Sequence, residues 1–165
     1  MKLISYLKDE HEQLAVLHDG LVYDMDTLHP DLPTSMNMFL QYWDEYSALA
    51  NASVKAVQEG RLMPGNAQRI EELQLLAPVP MPASCRDGYA FRQHVEAARR
   101  NRKVEMIAEF DQYPIFYFTN HHSIQGPGEV RCMPDHFEKL DFELEVAIVT
   151  VSYTHLRAHE TGRNL

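Results

Sequence analysis

The sequence predicts an α+β protein, and three observations carry that prediction. Short apolar-alternating runs joined by an Asp-Gly pair open the chain, an apolar stripe at helical spacing follows, and the run LDFELEVAIV near residue 145 alternates acids with apolar side chains. The first reads as a small antiparallel sheet, the second as amphipathic helices against it, and the third as a strand in a separate β-rich region.

Taken in order, Leu3 to Leu7 and Gln13 to Leu17 read as strands. His18-Asp19-Gly20-Leu21 supplies a hairpin turn before a third strand, Leu21 to Met25, because Asp-Gly accepts the positive φ such turns need. After Pro30 and Pro33, Thr34 or Ser35 can cap a helix whose stripe is Met36, Phe39, Leu40, Trp43 and Tyr46. The stripe continues through Leu49, Val54 and Val57 and stops at Gly60, and its simplest meaning is core packing, Trp43 included. The proline-punctuated run LQLLAPVPMP, residues 73–82, then reads as an extended strand and linker. Domains are therefore expected at 1–76, a sheet with helices, and at 77–149, a second region.

Composition narrows the function. With 24 acidic and 15 basic residues in 165, the formal charge is −9, which argues against nucleic acid or an anionic membrane surface as partner and favours small molecules and cations. Two cysteines, Cys85 and Cys132, without CxxC spacing indicate neither a disulfide framework nor a thiolate zinc site, so a reducing cytoplasm is expected. The N-terminal residues lack the apolar core of a signal peptide, and no stretch approaches membrane-spanning length.

The second region holds the reactive side chains. Asp87 precedes the helical segment YAFRQHVEAARRNR and is a natural N-cap. His94, seven residues on, would lie two turns up the same face, where a histidine among aromatic neighbours is also an ordinary structural residue. Ile115 to Thr119 is strongly β-prone, and Gly126-Pro127-Gly128 marks a loop after it. Adjacent His121 and His122 point apart in extended chain and have no second histidine pair to complete a metal site. In the run Asp141-Phe142-Glu143-Leu144-Glu145, residues two apart lie on one side of a strand, roughly 6.5–7 Å apart. Two readings of these acids stand side by side: a solvated sheet face, or a cluster held by a hard divalent cation.

The order of these features, Asp87-x-Tyr89, His94, the aromatic run with Gly-Pro-Gly, and then the DxExE strand, resembles the fumarylacetoacetate hydrolase family over about residues 75–149. The resemblance implies that 77–149 is the first part of a β-rich mixed-sheet catalytic domain. It makes Asp87, Glu143 and Glu145 ligands of Mg2+, Ca2+ or Mn2+, Tyr89 and Tyr117 substrate contacts, and His94 the group that activates water. It implies hydrolysis of a carbon–carbon bond in a 1,3-dicarbonyl or acylpyruvate such as fumarylacetoacetate, an oxo-acid substrate of aromatic amino acid catabolism, and a homodimer for the full-length protein. The alternatives are a family isomerase or decarboxylase of a 2-oxo acid, and a non-catalytic acidic module.

Members of the family also use a further aspartate ligand, a lysine and a carboxylate that orients the histidine, all downstream of the glutamate strand. The chain is therefore expected to be the front portion of a longer gene product and, as written, to turn over little or no substrate. The stretch VSYTHLRAHETGRNL abandons the strand pattern, and Val151 to Thr161 resembles a translated sequencing adapter, so 150–165 is expected to be a non-native tail.

Overall fold

A computed structural model describes residues 1–65 and 67–151. The tail expected from residue 150 onward lies almost wholly outside the described residues. The described residues divide into two compact units, one formed by 1–80 with 125–151 and the other by 81–124.

In the first unit, β1 (Lys2–Lys8), β2 (His11–His18), β3 (Leu21–Asp24) and β4 (Gln68–Arg69) form an antiparallel sheet in that order. The expected Asp-Gly turn is present, with φ of 49° at Asp19 and 79° at Gly20. The preceding hairpin turns through Asp9 and Glu10, at φ 49° and 65°, although neither is glycine. On the outer side of β1, Leu75 bridges to Tyr6, flanked by Leu7 N–H donating to the Gln74 carbonyl and Leu76 N–H to that of Ser5, each at 2.9 Å. The proline-punctuated run therefore extends the sheet.

Period-two alternation sorts β2 between two faces. Leu14 and Val16, fully buried, pack with Met25, Leu28, Met36, Phe39 and Ala50 from the helical side, while Ala15 joins Tyr6 and Val22 on the other. Full burial of side chains the size of Leu14, Met25 and Phe39 contributes about 1.5–3 kcal/mol each. The expected stripe is split between two helices, α2 (Met36–Gln41) and α3 (Trp43–Gln58), and a single turn, α1 (Met25–Leu28), precedes them where the third strand was expected to end. Ser35 caps α2 as expected, its Oγ accepting from Met38 N–H at 3.4 Å, and Glu12 from β2 accepts from Met36 N–H at 2.8 Å, a carboxylate where helix amides are unsatisfied. At Tyr42, φ −121° and ψ 45° interrupt the helix. Trp43, next in the chain, is 37% exposed and meets the Phe39 ring edge-on with centroids 5.7 Å apart, so Trp43 is a partial cover and Phe39 the core residue. Just past α3, Gly60 has φ 68°, the left-handed conformation expected after a helix end.

The second unit is smaller. β5 (Arg86–Gly88) pairs antiparallel with β6 (Phe116–Phe118), and α4 (Arg92–Asn101) buries Val95 completely. Arg92 ties the start of α4 to Asp111 and to Glu96, the latter at 2.8 Å. Mixed helices and strands bear out the α+β class. Among the described residues no helix is long and apolar enough to cross a membrane.

The acidic run departs from expectation. Leu140 to Val151 joins no strand ladder among the described residues, and Phe142, Leu144 and Val146 are 86%, 95% and 95% exposed. Alternation alone does not make a strand; the backbone amides and carbonyls must meet a neighbouring chain.

Candidate functional site

Asp87 lies on β5, where its Cα partner is Tyr117 of β6, so it is not the helix cap its sequence context suggested. α4 begins at Arg92 with Phe91 before it and no side-chain cap. The separation of Asp87 and His94 by two turns of one helix is accordingly replaced by a strand, a turn and then a helix. The β-propensity of Ile115 to Thr119 is the local cause, because it supplies the second strand that captures Arg86 to Gly88. Directly opposed residues of an antiparallel pair project to the same face, so the ladder brings the Asp87 carboxylate and the Tyr117 phenol to one side of the ribbon.

Tyr89 N–H donates to the Ile115 carbonyl at 3.0 Å, continuing the ribbon by one residue. Its ring meets the His94 imidazole edge-on, with centroids 6.1 Å apart and planes at 66°. Tyr89 is half-buried, whereas His94 on the first turn of α4 is exposed, which leaves its ring nitrogens accessible to water. The 81–124 unit thus holds four of the expected residues in two pairs: Asp87 with Tyr117, and Tyr89 with His94.

In the other unit, one carboxylate oxygen of Glu143 and one of Glu145 lie within 4.8 Å of each other, and both residues are exposed. Two oxygens bound to one ion at the 2.0–2.6 Å typical of Mg2+ and Ca2+ are separated by at most about 5 Å. The pair fits a hard cation in spacing and donor type, since carboxylate oxygens suit Mg2+, Ca2+ or Mn2+ and among the described residues no thiolate or imidazole joins them. Asp141 is used locally instead, its Oδ1 accepting from Phe142 N–H at 2.9 Å. The His121 and His122 rings lie close and tilted, 4.2 Å between centroids at 37°, and join no group of three ligating side chains among the described residues.

A buried polar cluster in the first unit has no counterpart in the sequence reading. Asp24, fully buried, accepts from Tyr6 Oη at 2.7 Å and pairs with Lys8 Nζ at 2.6 Å. Burial, and next the hydrogen bond to Asp24, push the Tyr6 phenol well above the ordinary tyrosine range. The bond to Asp24 likewise raises Lys8. An aspartate closing an apolar strand, with Tyr and Lys at alternating positions of β1, was the available signal.

Residues 84–161 match the family model described as the fumarylacetoacetate (FAA) hydrolase C-terminal domain. The matched span covers β5, α4, β6 and the acidic run and extends past residue 149. No curated protein matches the chain.

Proposed function

Residues 84–161 place this chain in the fumarylacetoacetate hydrolase family, and from that premise we propose that it belongs to a hydrolase cleaving the carbon–carbon bond of an acylpyruvate. The family is one of hydrolase- and isomerase-type enzymes acting on small molecules, and it is generally dependent on a divalent metal. The observation that most supports the finer reading is the close pair of Glu143 and Glu145 oxygens in a purely oxygen-donor run.

In this reading Asp87, Glu143 and Glu145 hold Mg2+, Ca2+ or Mn2+. When bound, the cation supplies positive charge for the carbanion character that develops as the bond breaks. His94, accessible and oriented against the Tyr89 ring, takes a proton from water. The oxygen of that water adds to the acyl carbonyl, and the bond to the neighbouring methylene breaks with its electron pair leaving on carbon. The proton held by His94 is then delivered to that carbon, which completes a carboxylic acid and a 2-oxo acid and returns His94 to its starting state. Tyr89 and Tyr117 donate phenolic hydrogen bonds to substrate oxygens. The reading carries with it a catalytic region beginning near residue 77, a homodimer and a cytoplasmic setting.

Cation binding is the test. Calorimetric titration with Mn2+ is expected to give binding that weakens at least tenfold in Glu143→Ala and in Glu145→Ala. Unchanged binding in both variants, or none in the parent chain, would leave the acids as a solvated surface, the reading their exposure favours. This chain by itself is expected to turn over little or no substrate, so the reaction classes are separated by the products of an active gene product that includes it: hydrolysis gives two acids, decarboxylation releases carbon dioxide, and isomerisation conserves mass.

A further inference from the structure

The ribbon that carries Asp87 and Tyr117 is held on its opposite face by a device that neither the family match nor the proposed mechanism assigns. Only three residue pairs join β5 to β6, and a two-stranded ribbon that short is marginal by itself. Slippage by one residue would move Asp87 and Tyr117 from a shared face to opposite faces.

Arg86 and Phe118 are Cα partners, adjacent to the Asp87–Tyr117 pair and therefore projecting to the other side. The Arg86 guanidinium carbon lies 4.0 Å from the Phe118 ring centroid and 5.6 Å from that of Phe116, and the two rings meet edge-on at 5.1 Å. Phe116 pairs with Gly88, and a Cβ built at Gly88 would meet nothing within 4 Å, so no side chain on β5 separates Phe116 from Arg86. Arg86 Nη1 also donates to the Cys85 carbonyl at 3.1 Å, which ties the guanidinium to its own strand. One cation thus spans two aromatic rings on the partner strand while anchored to β5.

From this arrangement we infer that Arg86 is a positioning residue: its cation–π clip fixes the register of the β5–β6 ribbon and so presents Asp87 and Tyr117 on one face. The inference rests on the cation-binding reading of Asp87. Its electrostatic signature is opposite to that of a simple charge effect. Removing a positive charge beside a cation ligand strengthens cation binding by Coulomb's law alone, whereas releasing the register weakens it.

The experiment is Mn2+ calorimetry on the full chain and on Arg86→Met and Arg86→Lys, with amide hydrogen exchange measured on the same samples. Arg86→Met is expected to weaken Mn2+ affinity about threefold or more. It is also expected to lose amide protection in Phe116 to Phe118 while protection in β2 is unchanged, and Arg86→Lys, still cationic over the rings, is expected to recover most of both. Unchanged or tighter Mn2+ binding in Arg86→Met overturns the inference, as does a lysine variant no better than methionine. If the parent chain binds no Mn2+, the cation reading of the site fails instead. Exchange then decides the clip alone, with unchanged protection in Arg86→Met counting against it.

Discussion

Asp24 shows how much a single buried carboxylate can hold. Its two oxygens take the Tyr6 hydroxyl at 2.7 Å and the Lys8 ammonium at 2.6 Å, while Gln68 Nε2 donates to the same hydroxyl at 3.2 Å. β1, β3 and β4 are thereby joined on one side of the sheet. Asp24→Asn keeps the shape and removes the charge, and we expect it to cost about 2 kcal/mol in urea unfolding at neutral pH, the scale of a hydrogen bond to a charged group. The pH dependence follows from the direction of the shifts. Tyr6 and Lys8 are both raised, so the folded chain holds their protons more tightly than the unfolded chain does. Their contribution is complete below the ordinary values and is lost as pH rises through the raised ones, giving a fall in stability above about pH 10. In Asp24→Asn that alkaline fall should be shallower; an unchanged slope would show that the cluster is not its source. At the proposed site, residue types were legible while directions were not. Asp87, Tyr89 and His94 could be named through the family resemblance, yet whether Asp87 capped a helix or lay in a strand depended on Ile115 to Thr119, more than 25 residues away in sequence.

Among the elements, local signals succeeded where one short stretch decides the backbone. Asp19-Gly20 and Ser35 are such cases. The break at Tyr42 was hidden because residues on both sides continue a helical apolar stripe, and nothing in the local sequence marks it. The acidic run failed as a strand for the complementary reason, since its pattern specifies a face but supplies no ladder partner. The Gly-Pro-Gly loop was legible as a loop, though its reason lay elsewhere. A Cβ at Gly126 would stand 2.2 Å from the Leu75 carbonyl oxygen and 2.8 Å from Leu76 Cα, both backbone atoms of the segment pinned to β1. Gly128, at φ 151°, has open space around its Cβ position. Gly126→Ala is therefore expected to destabilise by about 2–3 kcal/mol through overpacking, and Gly128→Ala by only about 1 kcal/mol through backbone strain. Urea denaturation of the two variants checks the order, and equal losses would contradict the steric argument.

For the molecule as a whole, the cation proposal has a consequence independent of turnover. Glu143 and Glu145 bring two carboxylate oxygens within 4.8 Å of each other. A cation that binds only the folded arrangement must then raise its stability by mass action, by about 2.7 kcal/mol at a hundredfold excess over the dissociation constant. For a chain of this length, 1 kcal/mol corresponds to roughly 2–4 °C, so the thermal midpoint should rise by about 5–10 °C on saturation with Mn2+. Chelation should return it to the starting value. Asp87→Asn and Glu143→Gln should each reduce the rise. The reduced rise separates a ligand from a surface acid: a solvated glutamate would leave the response to Mn2+ unchanged. If Glu143→Gln retains the full rise, the acidic run is not where the cation binds.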